Sequence, residues 1–506
     1  MKKVSLLLII FLPFHLFAAP QDSVINSAYY ENAHLMPVWD YAVFSGKVTP
    51  RFLLNQPFRA GLFADYMRSQ SKGTVLEGWR KSGFADLARY AAPAGVKPGY
   101  GQLYLSVQPG YRLMDDAGRG EGQFTGAVEG VYISKNLVLV NKTITDQAYK
   151  ADPAFFGDTT SWIWGRSSSS YAVIDLDPFE IFAGRMRRNW GLPGETSLIL
   201  SKNAHAFDHL SVKYKSRRFQ FTFLVSRLED KWAYDSQAVD SSRVWSKRYI
   251  SMQRGDLRLS DKLQIGFTQV ALYGGENRTF EFGYLNPMNL FYVVQRNNRS
   301  QINGLWCADI VWRPKENITL FGQLMIDDII INNSPDKKDR ERSPDRHAVT
   351  VKGVWADGLL KGSLISASFT HVTNWNYQSF RTWENYTFFD QSLGFPVNSF
   401  EGIRLDFSYV GMPPLIFQAS AGHQRRGDMD ITAVFRGEKT DFPYGTAEHI
   451  TWAEGTIRYI PCRHWHARLR IRYDQIVNHG HISGKTASPF YAMLEMHLNL
   501  DKVFVL

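Results

Sequence analysis

The stretch HWHARLRIRYD, residues 464–474, alternates strictly between polar and apolar side chains. Its even positions are histidine, arginine and aspartate, and its odd positions include Leu469, Ile471 and Tyr473. Successive side chains of a strand point to opposite faces, so this stretch predicts a strand with one cationic and one apolar face. A helix would spread the same arginines around its cylinder and would form no apolar stripe. A soluble sandwich would bury the apolar face, whereas a transmembrane barrel would turn it towards lipid.

The first residues predict export from the cytoplasm. Lys2 and Lys3 precede an apolar run from Val4 to Phe17, and the small residues Ala18 and Ala19 follow. This is the pattern of a secretory signal peptide, and we predict that it comprises residues 1–18. A retained membrane anchor is the alternative, although the run is short for the ~20 residues of a helical span.

Composition narrows the possible partners. The formal net charge of +10 favours anionic lipid headgroups or acidic glycans, and export argues against nucleic acid. Aromatic residues make up 14% of the chain, which suits girdles at two membrane interfaces and equally suits sugar-binding surfaces. The two cysteines, Cys307 and Cys462, allow one disulfide or two unpaired thiols.

The chain divides into a helical and a strand-rich part. In residues 19–95, Thr74 and Glu77 match a capping box, and apolar positions such as Trp79 follow at helical spacing. From residue 96 to 506, segments of alternating hydrophobicity recur between polar turns, and the last fourteen residues alternate as well. We therefore predict an all-β fold, a large outer-membrane β-barrel of about 16–18 antiparallel strands behind a small N-terminal α-helical domain. The expected location is the outer membrane of a Gram-negative bacterium.

Motifs for catalysis or metal binding are weak. There is no G-x-S-x-G elbow, and the neighbouring carboxylates Asp327 and Asp328 would face opposite ways on a strand. Two H-x-H pairs, His464 with His466 and His479 with His481, have zinc-ligand spacing on a strand but no further ligand at a recognisable spacing. We predict a protein that is not an enzyme and has no cofactor and no metal.

The stretch from Gly184 to Asp208 is richer in binding chemistry. Arg185 and Arg187 share one face of a predicted strand, and Trp190 follows before a Pro-Gly turn. Arginine forks match carboxylates, and a tryptophan face can stack on a sugar ring. The alternative is that Trp190 anchors the barrel at the membrane interface while the arginines line a wet lumen.

This stretch resembles the Wzi-type family of capsule-assembly outer-membrane proteins. The resemblance is carried by Gly184-Arg185, Trp190-Gly191-Leu192-Pro193-Gly194, Ser197-Leu198-Ile199-Leu200-Ser201, Asn203-Ala204 and Phe207-Asp208. Similar short blocks are Gln56-Pro57, Tyr284-Leu285-Asn286-Pro287, Gln323 and Asp327-Asp328. The resemblance implies an 18-stranded barrel with a small periplasmic helical bundle. It also implies a lectin-like role in attaching capsular polysaccharide to the cell surface.

Two functions stay open at this stage. The first is non-catalytic binding and surface attachment of capsular or other extracellular polysaccharide. The second is an outer-membrane porin for anionic solutes, whose lumen would be lined by the basic row Arg468, Arg470 and Arg472. Expected partners are the polysaccharide, outer-membrane lipid and the barrel-assembly machinery, without nucleic acid.

Two aromatic tracts are candidate glycan sites. One contains Trp162 and Trp164. The other, NWNYQSFRTWENYTFFD, joins aromatic faces to a cation, and its candidate residues are Trp375, Tyr377, Arg381 and Trp383. The alternative reading of the second tract is an interface girdle followed by a loop. Arg185, Arg187 and Trp190 are the next candidates.

Overall fold

Alternating segments recur from Gly101 onward, and the structure places them in one continuous sheet. The structure, a computed structural model, describes residues 26–30, 34–69, 74–80, 87, 90–91, 101–116, 119–150, 152, 155, 157, 160, 165–235, 243–328 and 344–506. The predicted signal peptide, Trp162 and Trp164 lie outside these residues.

Eighteen long strands form the sheet in the described part of the chain, and each pairs antiparallel with its neighbours. They are β1 (Gly101–Asp116), β2 (Arg119–Ser134), β3 (Leu137–Asp146), β4 (Gly165–Leu176), β5 (Phe179–Met186), β6 (Phe207–Lys215), β7 (Phe219–Arg227), β8 (Val244–Arg258), β9 (Leu263–Gly275), β10 (Asn303–Lys315), β11 (Ile318–Asp328), β12 (Arg346–Ala356), β13 (Ser363–Val372), β14 (Phe400–Met412), β15 (Leu415–Arg426), β16 (Glu448–Cys462), β17 (Trp465–Val477) and β18 (Phe490–Leu498, continued as Leu500–Val505). Shorter strands are Lys231–Ala233, Thr387–Phe388, Gln391–Ser392 and Thr486–Ala487. Single-turn 3-10 helices are Gln147–Lys150, Thr382–Glu384 and His479–His481.

The sheet closes on itself. Both pieces of β18 pair with β1, with Leu494 opposite Leu113 and Lys502 opposite Leu105, while the other side of β18 pairs with β17. A closed antiparallel sheet satisfies its backbone groups without an edge, which is the requirement for crossing a bilayer with strands. The prediction of an outer-membrane barrel with about 16–18 strands is confirmed.

The strand that contains HWHARLRIRYD shows how the two faces are used. In β17, Leu469, Ile471 and Tyr473 are exposed on the outer face. The arginines between them pair with carboxylates of the lumen, since Arg470 lies 2.7 Å from Glu454 and Arg468 lies 2.5 Å from Glu495. The row Arg468, Arg470 and Arg472 therefore faces the interior of the barrel, and its charges are balanced by neighbouring strands.

Connections differ between the two ends of the barrel. One end carries turns of two to six residues, such as 135–136, 177–178 and 357–362, and the predicted Asp177–Pro178 turn is among them. The other end carries most of the long connections, including residues 187–206, 276–302 and 373–399. Because outer-membrane barrels have short periplasmic turns and longer extracellular loops, we call these the periplasmic and extracellular ends.

The N-terminal segment fills the periplasmic end of the lumen. It contains the helices α1 (Met36–Phe44) and α2 (Ala60–Ser69). Trp39, Phe63 and Trp79 are buried in one apolar cluster with lumen-facing strand residues, including Phe182 and Ile416. The predicted domain boundary at residue 95 remains a prediction, and residues 81–86, which continue the helical pattern after Trp79, lie outside the described ranges.

Hydrogen bonds fix this segment to the barrel. The indole of Trp79 donates to the Val410 carbonyl at 2.7 Å, and the Tyr41 hydroxyl donates to Asp357 at 2.9 Å. At Thr74 the side chain accepts the Glu77 amide at 3.2 Å, which is one half of the predicted capping box.

Two extracellular connections fold into the other half of the lumen. Leu198, Ile199 and Leu200 of residues 187–206 are fully buried against Tyr377 and Tyr386 of residues 373–399. The Tyr377 hydroxyl donates to the Leu198 carbonyl at 2.7 Å, and the Tyr386 hydroxyl donates to the Ile199 carbonyl at 2.5 Å. The interior is thus packed from both ends.

No helix in the described ranges is long and apolar enough to cross a bilayer. Cys307 and Cys462 are both free.

The two faces of β17 predict opposite responses to substitution. Leu469→Arg would place a charge on the lipid side, which costs about 2–4 kcal/mol near the middle of a membrane. Arg470→Ala removes a lumen cation but leaves Glu454 within reach of Arg472, at 3.7 Å. We expect Leu469→Arg to reduce heat-modifiable, folded barrel in outer membranes far more than Arg470→Ala. Equal effects of the two changes would contradict this assignment of faces.

Candidate functional site

A cavity of about 540 Å³ remains along one wall of the filled lumen, and we call it the basic cavity. It lies between the N-terminal segment, the inner faces of β1–β4 and β16–β18, and the connection 187–206. Its volume falls in the range of small-molecule binding sites, about 300–1,000 Å³. It runs from Arg463 and Asn499 near the periplasmic end to Arg187 and Lys202 on the extracellular side.

The lining of the basic cavity is strongly cationic. Seven arginines and lysines line it: Arg112, Lys142, Arg166, Arg185, Arg187, Lys202 and Arg463. Four histidines also line it: His34, His205, His466 and His497. Among the described lining residues the only carboxylate is Asp146, and that group is paired with Arg112 at 3.0 Å. The cavity is therefore built for an anion.

Three of these cations form no direct salt bridge within the described part of the chain. They are Lys142, Arg166 and Lys202, whereas Arg112 also reaches Glu495 at 2.7 Å. Glu129 stands opposite Lys142 in the sheet, and Asp40 interacts electrostatically with Lys202. Arg166 instead contacts the His205 ring nitrogen at 3.4 Å. Because no direct salt bridge holds them, these three side chains are the candidate anion-binding groups of the cavity.

An aromatic pair borders the cationic wall. Tyr149 stacks on Phe155 with ring centroids 4.8 Å apart and planes inclined by 7°. The guanidinium of Arg166 lies 4.8 Å from the centre of the Tyr149 ring. Burial raises the pKa of the Tyr149 hydroxyl, and the nearby Arg166 opposes that rise, so the hydroxyl stays a neutral hydrogen-bonding group. Tyr149 is 7% exposed, and both Phe155 and Arg166 pack against its ring, so it supports the Arg166 guanidinium at the cavity wall.

The predicted binding residues of the 184–208 stretch lie in two different environments. Arg185 and Arg187 both line the basic cavity, and Arg185 pairs with Asp208. Trp190 is fully buried, with Arg254 over its ring at 5.9 Å. Its faces are covered by the protein, so in this structure Trp190 is a core residue and offers no surface for a sugar.

The predicted aromatic tract also lies mostly inside the barrel. Tyr377 is fully buried and Trp375 is 7% exposed. The backbone around Trp383 is held by Arg248, whose guanidinium donates to the carbonyls of Trp383 at 2.8 Å and Asn385 at 2.5 Å. Trp375, Tyr377 and Trp383 therefore belong to the packed lining of the extracellular half, and they do not adjoin the basic cavity.

Arg381, the cation of that tract, is paired with two carboxylates of the protein. It lies 3.2 Å from Asp235 and 3.5 Å from Glu384. Glu384 is almost completely buried and accepts a hydrogen bond from the Ser379 hydroxyl at 2.9 Å. Burial raises the pKa of the Glu384 carboxyl, whereas Arg381 opposes that rise, so the cation stabilises a buried carboxylate.

The two histidine pairs lie in different environments. His466 stacks on His497 with ring centroids 5.0 Å apart, and the ring of His34 in the N-terminal segment lies 3.4 Å from His466 at a tilt of 45°. His479 and His481 lie in a 3-10 turn with Gly480 at φ 65°, so the expectation that this pair lies on a strand is wrong. Among the described residues no group of three His, Cys, Asp or Glu side chains is arranged to hold a metal ion.

Sequence reasoning missed Lys142, Arg166, Lys202 and Tyr149. Lys142 lies on a strand whose alternating pattern turns its polar residues inward, and this can be read from the sequence. Nothing in the sequence, however, pairs Lys142 with Lys202, sixty positions later. Only the infolding of residues 187–206 brings them to the same cavity.

The chain is similar to one family model and to several solved structures. Residues 116–328 match the model of the family described as capsule assembly protein Wzi. Among solved structures it is similar to Wzi of Escherichia coli, with TM-score 0.61 and 11% identity, over 94% of this chain and 99% of that one. That protein is described as an outer membrane protein involved in group 1 capsule assembly and as a carbohydrate binding β-barrel. No curated protein sequence matches.

More distant similarity extends to two proteins of Pseudomonas aeruginosa. OccD3 (OpdP) has TM-score 0.45 and 10% identity, over 81% of this chain and 93% of that one. The outer membrane protein opdK has TM-score 0.45 and 11% identity, over 79% and 99%.

The buried contact between Arg381 and Glu384 generates a test of its structural role. Arg381→Ala would leave the Glu384 carboxylate buried without its cation, a change that costs about 3–5 kcal/mol when both groups are fully buried. We expect a lower midpoint of heat modification, with partial recovery when Glu384→Gln is added. The defect should shrink as pH falls from 8 to 5, because protonation removes the unpaired charge and burial raises the pKa of Glu384. Arg227→Ala, at an exposed ion pair with Asp230, is the control. Equal midpoints for Arg381→Ala and Arg227→Ala would refute the structural role of Arg381.

Proposed function

We propose that this chain is a capsule-assembly outer-membrane protein of the Wzi type and that it binds an acidic polysaccharide at the basic cavity. By binding, it would attach capsular or other extracellular polysaccharide to the cell surface. The observation that carries the proposal is the set of Lys142, Arg166 and Lys202, three cavity-lining cations that form no direct salt bridge in the described part of the chain.

The chemistry of the cavity suits a sugar that carries a carboxylate. Arg166 offers a planar fork that can bind a carboxylate through two parallel hydrogen bonds, and Lys142 and Lys202 add point charges. Tyr149 packs against the Arg166 guanidinium and holds it beside these point charges. A neutral sugar would leave most of this charge uncompensated, so the ligand class is an acidic glycan.

The proposed role is binding without catalysis. Enzymatic hydrolysis of a glycosidic bond usually requires a pair of carboxyl groups on either side of the bond. Among the described lining residues the cavity offers Asp146 alone, already paired with Arg112. The remaining partners that we propose are outer-membrane lipid around the apolar exterior and the barrel-assembly machinery that would insert the strands.

Binding should depend on the cavity-lining cations that form no direct salt bridge. In the double variant Lys142→Ala/Arg166→Ala, we expect the Kd for a uronic-acid polysaccharide to rise at least about tenfold, because hydrogen bonds to charged groups contribute roughly 1.5–3 kcal/mol each. Affinity of the unaltered protein should fall with salt and with carboxyl reduction of the glycan. Surface plasmon resonance with the detergent-solubilised barrel measures both effects.

The matched control is Arg436→Ala/Lys439→Ala, two exposed cations of an extracellular connection outside the basic cavity. Equal loss of affinity in both double variants would indicate nonspecific attraction and remove the cavity as the site. Unchanged binding in the cavity variant with intact heat modification would have the same consequence.

A narrow anion pathway is the second candidate function, because the basic cavity reaches from Arg463 to Lys202 along the lumen. We expect little conductance in planar bilayers, since the two packed clusters occupy most of the lumen. A steady anion-selective current that disappears in Arg166→Ala would favour the porin function over glycan attachment. Detergent-only bilayers provide the baseline.

A further inference from the structure

The connection 276–302 folds down the outside of the barrel, and we call it the outer segment. It contains two short helices, α3 (Phe282–Leu285) and α4 (Phe291–Asn298). It covers the outer faces of β8 and β9, where Gln253 and Gln269 stand opposite each other in the sheet. Both glutamines point outwards, because their chain neighbours Met252 and Val270 pack in the lumen cluster.

The two glutamines hold the outer segment in place. The Gln253 amide donates to the carbonyls of Asn286 and Asn289, each at 3.2 Å. The Gln269 amide donates to the same Asn289 carbonyl at 3.1 Å, and its oxygen accepts the Phe291 backbone amide at 3.1 Å. Polar residues at outward positions would be costly in lipid, so their bonds to the outer segment explain why these positions tolerate glutamine.

An aromatic cluster supports this contact. Outward-facing Tyr249 and Tyr273 pack with Tyr284 and Phe291 of the outer segment, and the Tyr273 and Tyr284 rings lie 5.0 Å apart. The inner side of the outer segment is therefore a built interface with the barrel wall.

The opposite side of the outer segment is apolar and uncovered. Phe282 is 88% exposed, Met288 84% and Leu290 61%. Tyr292 continues this surface onto Trp306 of β10, with ring centroids 5.7 Å apart. Trp306 belongs to the exposed apolar exterior of the barrel together with Ile310. The exposed side of the outer segment is thus continuous with the lipid-facing wall.

The hydrogen bonds to Gln269 fix the position of the outer segment along the barrel axis. Gln269 lies midway along β9, six residues from either end. Helix α4 begins at this level with Phe291 and leads back to the extracellular end, where β10 starts at Asn303. Arg296 and Arg299 are exposed near that upper end, whereas Met288 and Leu290 precede the helix at its lower end.

We propose that the outer segment is inserted into the outer leaflet and binds a phosphate-bearing lipid there. Its lower apolar side chains contact acyl chains, and Arg296 and Arg299 reach the headgroup phosphates, which arginine forks bind well. The glutamine bonds and the helical turns supply partners for the backbone, as a segment at membrane depth requires. The outer segment is then a lipid-binding element of the barrel wall and takes no part in the lumen cavity.

Depth-dependent quenching tests the location. A fluorophore is attached to Met288→Cys in a Cys462→Ser background, and the protein is placed in phosphatidylcholine vesicles containing lipids with a nitroxide on the acyl chain. Ile310→Cys is the lipid-facing reference and Lys439→Cys the aqueous one. We expect quenching at position 288 to match that at 310. Quenching at position 288 as weak as at 439 would overturn the proposal. Quenching that increases when the protein is diluted in lipid would also overturn it, because a second copy of the protein would then cover this surface at higher protein density.

Charge substitution tests the phosphate contact. Vesicles with and without a phosphorylated glycolipid are compared by the midpoint of heat modification of the inserted barrel. We expect the phosphorylated lipid to stabilise the unaltered protein and most of that shift to be lost in Arg296→Gln/Arg299→Gln. Arg436→Gln/Lys439→Gln, which removes two exposed cations elsewhere on the extracellular side, should keep it. Equal shifts in all three proteins would refute phosphate binding by the outer segment.

Discussion

The closure of the sheet between β1 and β18 is the contact on which the other features depend. In a bilayer a strand with unpaired backbone groups would be costly, so all the strands must form one ring. A ring of eighteen strands encloses a wide lumen, and the chain must then fill this space or leave a channel. Here the N-terminal segment and two extracellular connections fill it, through apolar clusters centred on Trp39 and Trp190.

Charge inside the barrel is balanced in most places and unbalanced in one. Arg254 is fully buried and is neutralised by Asp256 and Asp309, each 2.7 Å away, as a buried cation must be. The basic cavity departs from this pattern, because seven arginines and lysines line it against a single carboxylate, Asp146, among its described lining residues. Such an excess destabilises the protein on its own and is relieved when an anion binds, which links the energetics of the lumen to the proposed function.

On the exterior the situation is reversed, because polar residues interrupt an apolar surface. Lipid-facing positions are apolar in β17, yet Gln253 and Gln269 interrupt the apolar outer faces of β8 and β9. Their hydrogen bonds to the outer segment turn an unfavourable position into an attachment point. On the outer face, the residues that break the expected pattern therefore mark the contact with the outer segment.

The sequence by itself determined the strands, their faces and the barrel class. A period of two places Leu469 and Arg470 on opposite faces whatever surrounds them, and turn residues such as Asp177–Pro178 end strands through local backbone preferences. Only the tertiary structure decided what covers each face. Trp190 and Tyr377 have the composition of a sugar-binding surface but are buried, because two connections far apart in the chain pack against each other inside the lumen. The basic cavity likewise joins residues as distant as His34, Lys202 and His466, and no local pattern records a contact that closure of the barrel creates.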